Sequence, residues 1–138
     1  MKRVVVDASV AVKWVVEEPH TPEALRVYGT FQLTAPALIH AEVASALTKK
    51  VSRGQLEGEE AARKMREIVR AGVDTVPDEH LSVMAVRLSS SLNHPVYDCF
   101  YLALAQAEEI PVVTADRALV STARDAGLGA SVLWIEDA

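Results

Sequence analysis

Short β-branched runs alternate with longer helical patterns along this chain, and that alternation restricts the possible folds more than any other feature of the sequence. The first apolar run, Val4–Val6, is too short for a buried helix and indicates a buried strand that ends at Asp7. Residues 8–18 then follow a helical pattern, which stops before Pro19. Strands that alternate with helices predict an α/β fold with a central parallel sheet of about four to five strands, flanked by helices.

The other elements follow from the same pattern. Further strands are predicted at 31–35, 73–76, 111–114 and 131–135. Further helices are predicted from Pro22, at 36–53, at 57–71, from Asp78 to Leu92, at 97–109 and at 117–126. Thr21 and Asp78 are predicted to be N-caps, because their side-chain oxygens suit the free N–H groups at the start of a helix.

Composition narrows the class of protein. A chain of 138 residues predicts one domain, residues 1–138, and a composition of 50% hydrophobic and 24% charged residues argues against disorder. The single cysteine, Cys99, excludes an intramolecular disulfide and a zinc site built from cysteines. The hydropathy pattern indicates neither a signal peptide nor a membrane span, so we expect a cytoplasmic protein. Taken alone, the net charge of −5 argues against a nucleic-acid partner.

Four of the 19 acidic residues stand in, or at the end of, segments that are otherwise apolar. They are Asp7, Glu42, Asp98 and Asp116. A buried carboxylate without a partner costs several kcal/mol, and the nearest basic residues in sequence, Lys13 and Arg117, are too few for these acids. If the four converge, a divalent ion such as Mg²⁺ or Mn²⁺, which prefers oxygen ligands, would balance their charge.

The predicted sheet gives a reason for convergence. Asp7 directly follows one predicted strand, and Asp116 lies just past another. The carboxyl ends of parallel strands share one edge, and sites in open α/β sheets lie beyond that edge. No glycine-rich phosphate loop follows any predicted strand, so dinucleotide-binding and P-loop functions lose their main support.

Each of the four acids also has a purely structural interpretation. Asp7 and Asp116 each precede a predicted helix and would serve as its N-cap. Glu42 shares a predicted helix face with Lys49 and would pair with a basic residue. Asp98 lies in the first turn of a predicted helix, where the helix dipole favours a carboxylate. The sequence leaves each interpretation open, although a structural role for all four is much less probable than for any one.

Four segments, in order along nearly the whole chain, resemble the acidic motifs of PIN domains. They are Val4–Ser9, Ala35–Val43, Tyr97–Ala105 and Val113–Arg117. Each motif is weak alone, but four in this order at this length form a specific pattern. Among PIN proteins, the chain is most similar to the VapC toxins of prokaryotic toxin–antitoxin pairs.

The resemblance implies a Mg²⁺- or Mn²⁺-dependent endoribonuclease that acts on RNA, forms a homodimer and is inhibited by a VapB-type antitoxin. It also implies that the four acids are the catalytic and metal-binding residues, with Asp7 and Asp98 as main ligands of a first ion. Some relatives have a further acid where this chain has Leu119, so the number of ions, one or two, stays open. The rival interpretation is a non-catalytic PIN-like module that binds RNA or a partner. A haloacid-dehalogenase-type phosphatase is disfavoured, because it needs a second aspartate where this chain has Ser9.

Several other residues are candidates for supporting roles. Thr114 and Ser9 are predicted to orient a carboxylate or a water, although Ser9 suits a helix cap equally well. Lys49, Lys50 and Arg53 cluster at the end of one predicted helix and are candidates for contacts with RNA phosphates; the alternative is a solvated helix face. Without the four acids the chain is close to neutral, so the net charge fits a bare metal site.

Overall fold

Five short strands form one parallel sheet in the computed structural model, which covers residues 1–138. The strands are β1 (Arg3–Val6), β2 (Gln32–Pro36), β3 (Asp74–Val76), β4 (Val112–Thr114) and β5 (Val132–Trp134). Their order across the sheet is β3-β2-β1-β4-β5, and every neighbouring pair is parallel. The α/β class and the parallel sheet predicted from the sequence are therefore confirmed.

Seven α-helices accompany the strands. They are α1 (Ala8–Ala11), α2 (Thr21–Thr30), α3 (Ile39–Ser52), α4 (Gly58–Arg70), α5 (Ser82–Leu92), α6 (Val96–Glu108) and α7 (Arg117–Asp125). Helix α6 is the most buried of them and packs across β1, β2 and β4, while α5 packs on α6. The apolar faces enclose one core of 29 buried residues. None of the helices combines the length and apolarity that crossing a membrane requires.

The first helix is shorter than predicted. Helix α1 ends at Ala11, one 3₁₀ turn covers Val12–Trp14, and the rest of the predicted helix is irregular. The indole N–H of Trp14 donates to the Ala24 carbonyl at 2.9 Å, which draws this segment towards α2. Two β-branched valines and then Pro19 follow, and they disfavour a further helical turn.

Both predicted N-caps were wrong. Thr21 is the first residue of α2, and its hydroxyl accepts from the Glu18 N–H at 3.0 Å instead of an N–H of the helix. Asp78 begins a single 3₁₀ turn rather than α5, and its Oδ1 accepts from the Leu38 N–H at 3.0 Å. Since Leu38 is the N-cap residue of α3, Asp78 satisfies the start of a different helix, 40 residues earlier in sequence.

The sheet has its topological switch point between β1 and β4. From β1 the chain first builds β2 and β3 on one side, and then returns to add β4 and β5 on the other. Where the connections from two adjacent strands lead to opposite sides, a crevice forms between them at the carboxyl ends of those strands. Asp7 follows β1 and Thr114 ends β4, so both lie at this crevice.

Candidate active site at the carboxyl edge of the sheet

Asp7 is the most buried of the four acids, with 5% of its surface exposed. Its Oδ2 accepts hydrogen bonds from the Ser9 hydroxyl at 2.8 Å and from the Thr114 hydroxyl at 2.7 Å. It occupies the N-cap position of α1, but its side chain makes no capping hydrogen bond, so the capping interpretation is wrong for this acid. Ser9 and Thr114 thus fix the orientation of a carboxylate at the switch point.

The environment of Asp7 opposes its charge. Burial raises the pKa of Asp7 from 3.8 to about 7, although the hydrogen bonds from Thr114 and Ser9 act in the other direction. The negative charges of Asp98 and Glu42 raise this pKa further. A carboxylate that is costly to ionise beside other carboxylates gains more from a bound cation than a solvated one does.

Glu42 lies in the first turn of α3 and faces α6. Its Oε1 accepts a hydrogen bond of 2.6 Å from the hydroxyl of Tyr101, a fully buried residue of α6. Burial raises the pKa of Glu42 against the effect of this hydrogen bond, and the charges of Asp98 and Asp78 add to the rise. No basic side chain pairs with Glu42, so its interpretation as half of a helix-surface ion pair is wrong.

Asp98 lies in the first turn of α6, as predicted, and is paired with a histidine. The Nε2 atom of His94 lies 2.7 Å from Asp98 Oδ2. Burial raises the pKa of Asp98, the hydrogen bond from His94 lowers it, and the charge of Asp116 raises it. The His94 carbonyl accepts from the Ser89 hydroxyl at 2.7 Å, which anchors the histidine to the end of α5. The adjacent Cys99 is buried, and burial raises the pKa of its thiol to about 11.

Asp116 caps a helix and is also linked to the hydrogen bonds around Asp7. Its Oδ1 accepts from the N–H groups of Ala118 at 2.9 Å and Leu119 at 3.4 Å, so it caps α7 as the structural interpretation predicted. Its own N–H donates to the Thr114 hydroxyl at 3.0 Å, which links it to the hydrogen bonds around Asp7. The cap uses only Oδ1, and Oδ2 takes no part in any of these bonds.

The four carboxylates share one neighbourhood but do not form a preassembled cage. The pKa values of Asp7, Glu42 and Asp98 are each raised by the charge of another of the four acids, and no Lys or Arg side chain pairs with any of the four. However, no group of three or more His, Cys, Asp or Glu side chains is arranged to hold a metal ion. Each carboxylate takes a hydrogen bond from its own hydroxyl, imidazole or backbone partner. The donor set fits a hard cation by its chemistry, which supplies oxygens and uncompensated negative charge.

The basic residues proposed for RNA contact differ in their surroundings. Lys50 pairs with Glu18 at 2.9 Å, and Lys13 occupies the other oxygen of the same carboxylate at 2.9 Å. Lys49 lines a groove of about 710 Å³ that also contains Glu42, while Arg53 is exposed at the end of α3. Of the three, Lys49 has the best position to meet a phosphate near the acids.

Ser9 and Thr114, which the sequence indicated as orienting residues, donate to Asp7, whereas the sequence did not indicate the partners of Glu42 and Asp98. Those partners are Tyr101 and His94, and each contacts a candidate site residue. Tyr101 follows Asp98 by three positions within α6, so the two lie on neighbouring parts of one helix face, and His94 precedes the helix by two positions. That spacing is the only signal in the sequence that points to them.

Comparison with known proteins identifies the family. The PIN domain model matches residues 4–125, which include all four acids. The chain belongs to the PIN domain family. Two curated PIN-type relatives are VapC ribonuclease Mb0985 of Mycobacterium bovis and ribonuclease VapC9 of Mycobacterium tuberculosis. Each is 29% identical over 119 residues, which covers 86% of this chain and 90% of the relative.

Solved structures support the same PIN fold. The crystal structure of PAE2754 from Pyrobaculum aerophilum superposes with a TM-score of 0.73 at 20% identity, covering 98% of this chain and 85% of that one. A toxin–antitoxin complex from Klebsiella pneumoniae contains a chain that superposes with a TM-score of 0.64 at 13% identity, covering 94% and 95%. At these identities the likeness shows a shared fold.

Proposed function

We propose that this PIN domain is a Mg²⁺- or Mn²⁺-dependent endoribonuclease and the toxin of a VapBC-type toxin–antitoxin pair. The observation that carries the proposal is that four acids from separate segments lie close enough for their charges to interact, with no Lys or Arg partner. The relatives named VapC ribonuclease cover most of the chain and support the same activity. The substrate class is RNA, and the reaction is hydrolysis of a phosphodiester bond.

Asp7 and Asp98 are the proposed main ligands of one ion, and Glu42 and Asp116 complete the set directly or through water. When bound, the ion lowers the pKa of a water and stabilises charge on the phosphate oxygens. The protein contributes a buried, weakly screened environment in which a carboxylate attracts a cation strongly. Ser9 and Thr114 hold Asp7 in place, and His94 holds Asp98. Leu119, which is buried, offers no oxygen for a second ion.

The proposal is tested by removing the charge of single acids. We expect Asp7→Asn and Asp98→Asn to lose RNA cleavage in Mg²⁺ by a factor of about 100 or more, since each removes a ligand of the ion. Asp125→Asn is the matched control, because Asp125 is exposed at the end of α7. Full activity of folded Asp7→Asn and Asp98→Asn would refute the assignment.

The separation of the carboxylates favours one rival, a non-catalytic PIN module that binds RNA or a protein. Titration with Mn²⁺ distinguishes the two functions. A nuclease takes up Mn²⁺ with an affinity that falls in Asp98→Asn, whereas a binding module shows no uptake that depends on Asp98.

The partners follow from the same proposal. We propose a homodimer of one-domain chains, residues 1–138, inhibited in the cytoplasm by a VapB-type antitoxin. Strand β5 lies beyond the matched residues but pairs with β4, which supports one domain through the C-terminal segment. The only cysteine is a free, buried thiol, which suits a reducing compartment. Co-expression with the product of the neighbouring gene tests the pairing; failure to co-purify, with no effect of expression on growth, would refute a toxin.

A further inference from the structure

Tyr101 places a single polar atom in the middle of an apolar helix. The residue is fully buried in α6, among neighbours such as Leu102 and Leu104 that are also inaccessible to solvent. Its hydroxyl donates to Glu42 Oε1 at 2.6 Å, across 59 positions of sequence. A buried hydroxyl is costly unless it makes a hydrogen bond, so this contact decides where the end of the tyrosine side chain lies.

The Tyr101 hydroxyl acts as a hydrogen-bond donor to Glu42. A tyrosine hydroxyl keeps its proton at neutral pH, because its ordinary pKa is about 10. A protonated phenol has one hydrogen to donate, and here that hydrogen points to Glu42. The bond occupies Oε1 and leaves Oε2 as the oxygen free to face a cation.

Helix α6 carries both Asp98 and Tyr101, three positions apart and therefore on neighbouring parts of one face. The helix packs across β1, β2 and β4, and so it cannot shift without disturbing the centre of the sheet. Helix α6 supplies Asp98 and, through Tyr101, holds Glu42. It therefore fixes the distance between α3 and the switch point.

We propose that Tyr101 is a positioning residue that holds Glu42 in the orientation needed for metal binding and RNA cleavage. This inference rests on the proposed nuclease function. The group does not touch the substrate, and it acts only through the Glu42 carboxylate.

The test removes one oxygen atom. Tyr101→Phe keeps the ring that fills the core, and we expect its affinity for Mn²⁺ and its rate of RNA cleavage to fall by a factor of about 10. Tyr28→Phe is the matched control, because the Tyr28 hydroxyl also donates one hydrogen bond, to the Ala71 carbonyl at 2.8 Å, in a groove that contains none of the four acids. Wild-type Mn²⁺ affinity and cleavage in folded Tyr101→Phe would overturn the proposal and leave the nuclease assignment intact.

A double-mutant comparison separates positioning from packing. In a Glu42→Gln background, Tyr101→Phe should cause little further loss of Mn²⁺ affinity, because the group through which it acts has already changed. A full additional tenfold loss in that background would overturn a role through Glu42. If the wild type shows no Mn²⁺ uptake that depends on Asp98, the nuclease function itself fails and the role of Tyr101 fails with it.

A spectroscopic measurement needs no variant at position 101. Protein labelled with 3-fluorotyrosine carries three fluorine labels, at Tyr28, Tyr97 and Tyr101. Resonances that disappear in Tyr28→Phe and in Tyr97→Phe identify the third as Tyr101. Addition of Mg²⁺ should shift the Tyr101 resonance and leave Tyr28 unchanged, since only Tyr101 is bonded to a proposed ligand. A Tyr101 resonance that does not respond to saturating Mg²⁺ would overturn the proposal.

Discussion

Asp7→Asn should stabilise the metal-free protein while abolishing its activity. The pKa of Asp7 rises from 3.8 to about 7 on folding, chiefly through burial. Each pKa unit corresponds to about 1.4 kcal/mol, so the ionised carboxylate costs the fold about 4 kcal/mol at pH 8. Asparagine keeps an oxygen to accept from Ser9 and Thr114, and its amide nitrogen replaces an Oδ1 that accepts no hydrogen bond. Burial of that nitrogen takes back about 1–2 kcal/mol, which leaves a net gain of about 2–3 kcal/mol.

The dependence on pH identifies the cause. The pKa of Asp7 is higher in the folded protein than in the unfolded chain. The contribution of Asp7 to the stability of the wild type is therefore most favourable below pH 3.8, and it is lost as the pH rises to about 7. The advantage of Asp7→Asn should therefore grow between pH 5 and pH 8, by about 2–3 kcal/mol, and then level off.

Urea unfolding in EDTA, followed by circular dichroism at both pH values, measures this difference. The control is Asp125→Asn, whose carboxylate is exposed and should give no comparable gain. Addition of Mn²⁺ should stabilise the wild type and reverse the order of the two proteins, because ligand binding to the folded state adds stability. A variant less stable than the wild type at pH 8 in EDTA, or a gap that is equal at pH 5 and pH 8, would refute the reasoning.

Changes at three further positions test other contacts in the protein. Thr114→Val removes the hydroxyl that serves both Asp7 and Asp116 and should destabilise the fold by about 1–3 kcal/mol in urea unfolding, whereas Thr114→Ser should lose less. Asp116→Ala should lose about 1 kcal/mol with the cap of α7, and Asp116→Asn should retain that stability while losing RNA cleavage. Burial acts to raise the pKa of Glu18, but its two lysine partners outweigh burial and lower it below 4.5. The stability that Glu18 adds is thus present above pH 4.5 and lost in acid, and Glu18→Gln should flatten that part of the pH profile of unfolding.

The acids and strands were predictable because each makes a contrast with its neighbours in sequence. A lone charge after Val4–Val6 marks both the end of a buried strand and the place where polar chemistry begins. Parallel strands then bring such ends to one edge, so local signals in distant segments add up to a site. Asp7 and Asp116 follow this logic directly, since they succeed β1 and β4, which are neighbours in the sheet.

The partners of Glu42 and Asp98 were not predictable, because they depend on how helices pack rather than on local pattern. Nothing near Tyr101 in sequence indicates that its hydroxyl meets α3. Asp78 is a residue type that often caps the helix after it, yet in the fold its side chain accepts a hydrogen bond from the start of α3. A carboxylate accepts from an N–H group that lies near it in the folded chain. A helical pattern in the sequence does not show which residues 40 positions apart will be close in space.

The bond between Thr114 and Asp7 spans 107 positions, and this has a consequence during synthesis. Asp7 emerges from the ribosome with the first strand, but the hydroxyl that orients it belongs to β4, which is made 107 positions later. Between the two, β1 lacks one of its neighbours and the crevice at the switch point has only one wall. A nascent chain that has not reached β4 therefore carries Asp7, Glu42 and Asp98 without Asp116 and without the hydroxyl that orients Asp7. The order of strands therefore delays assembly of the site until β4 has been made and has paired with β1.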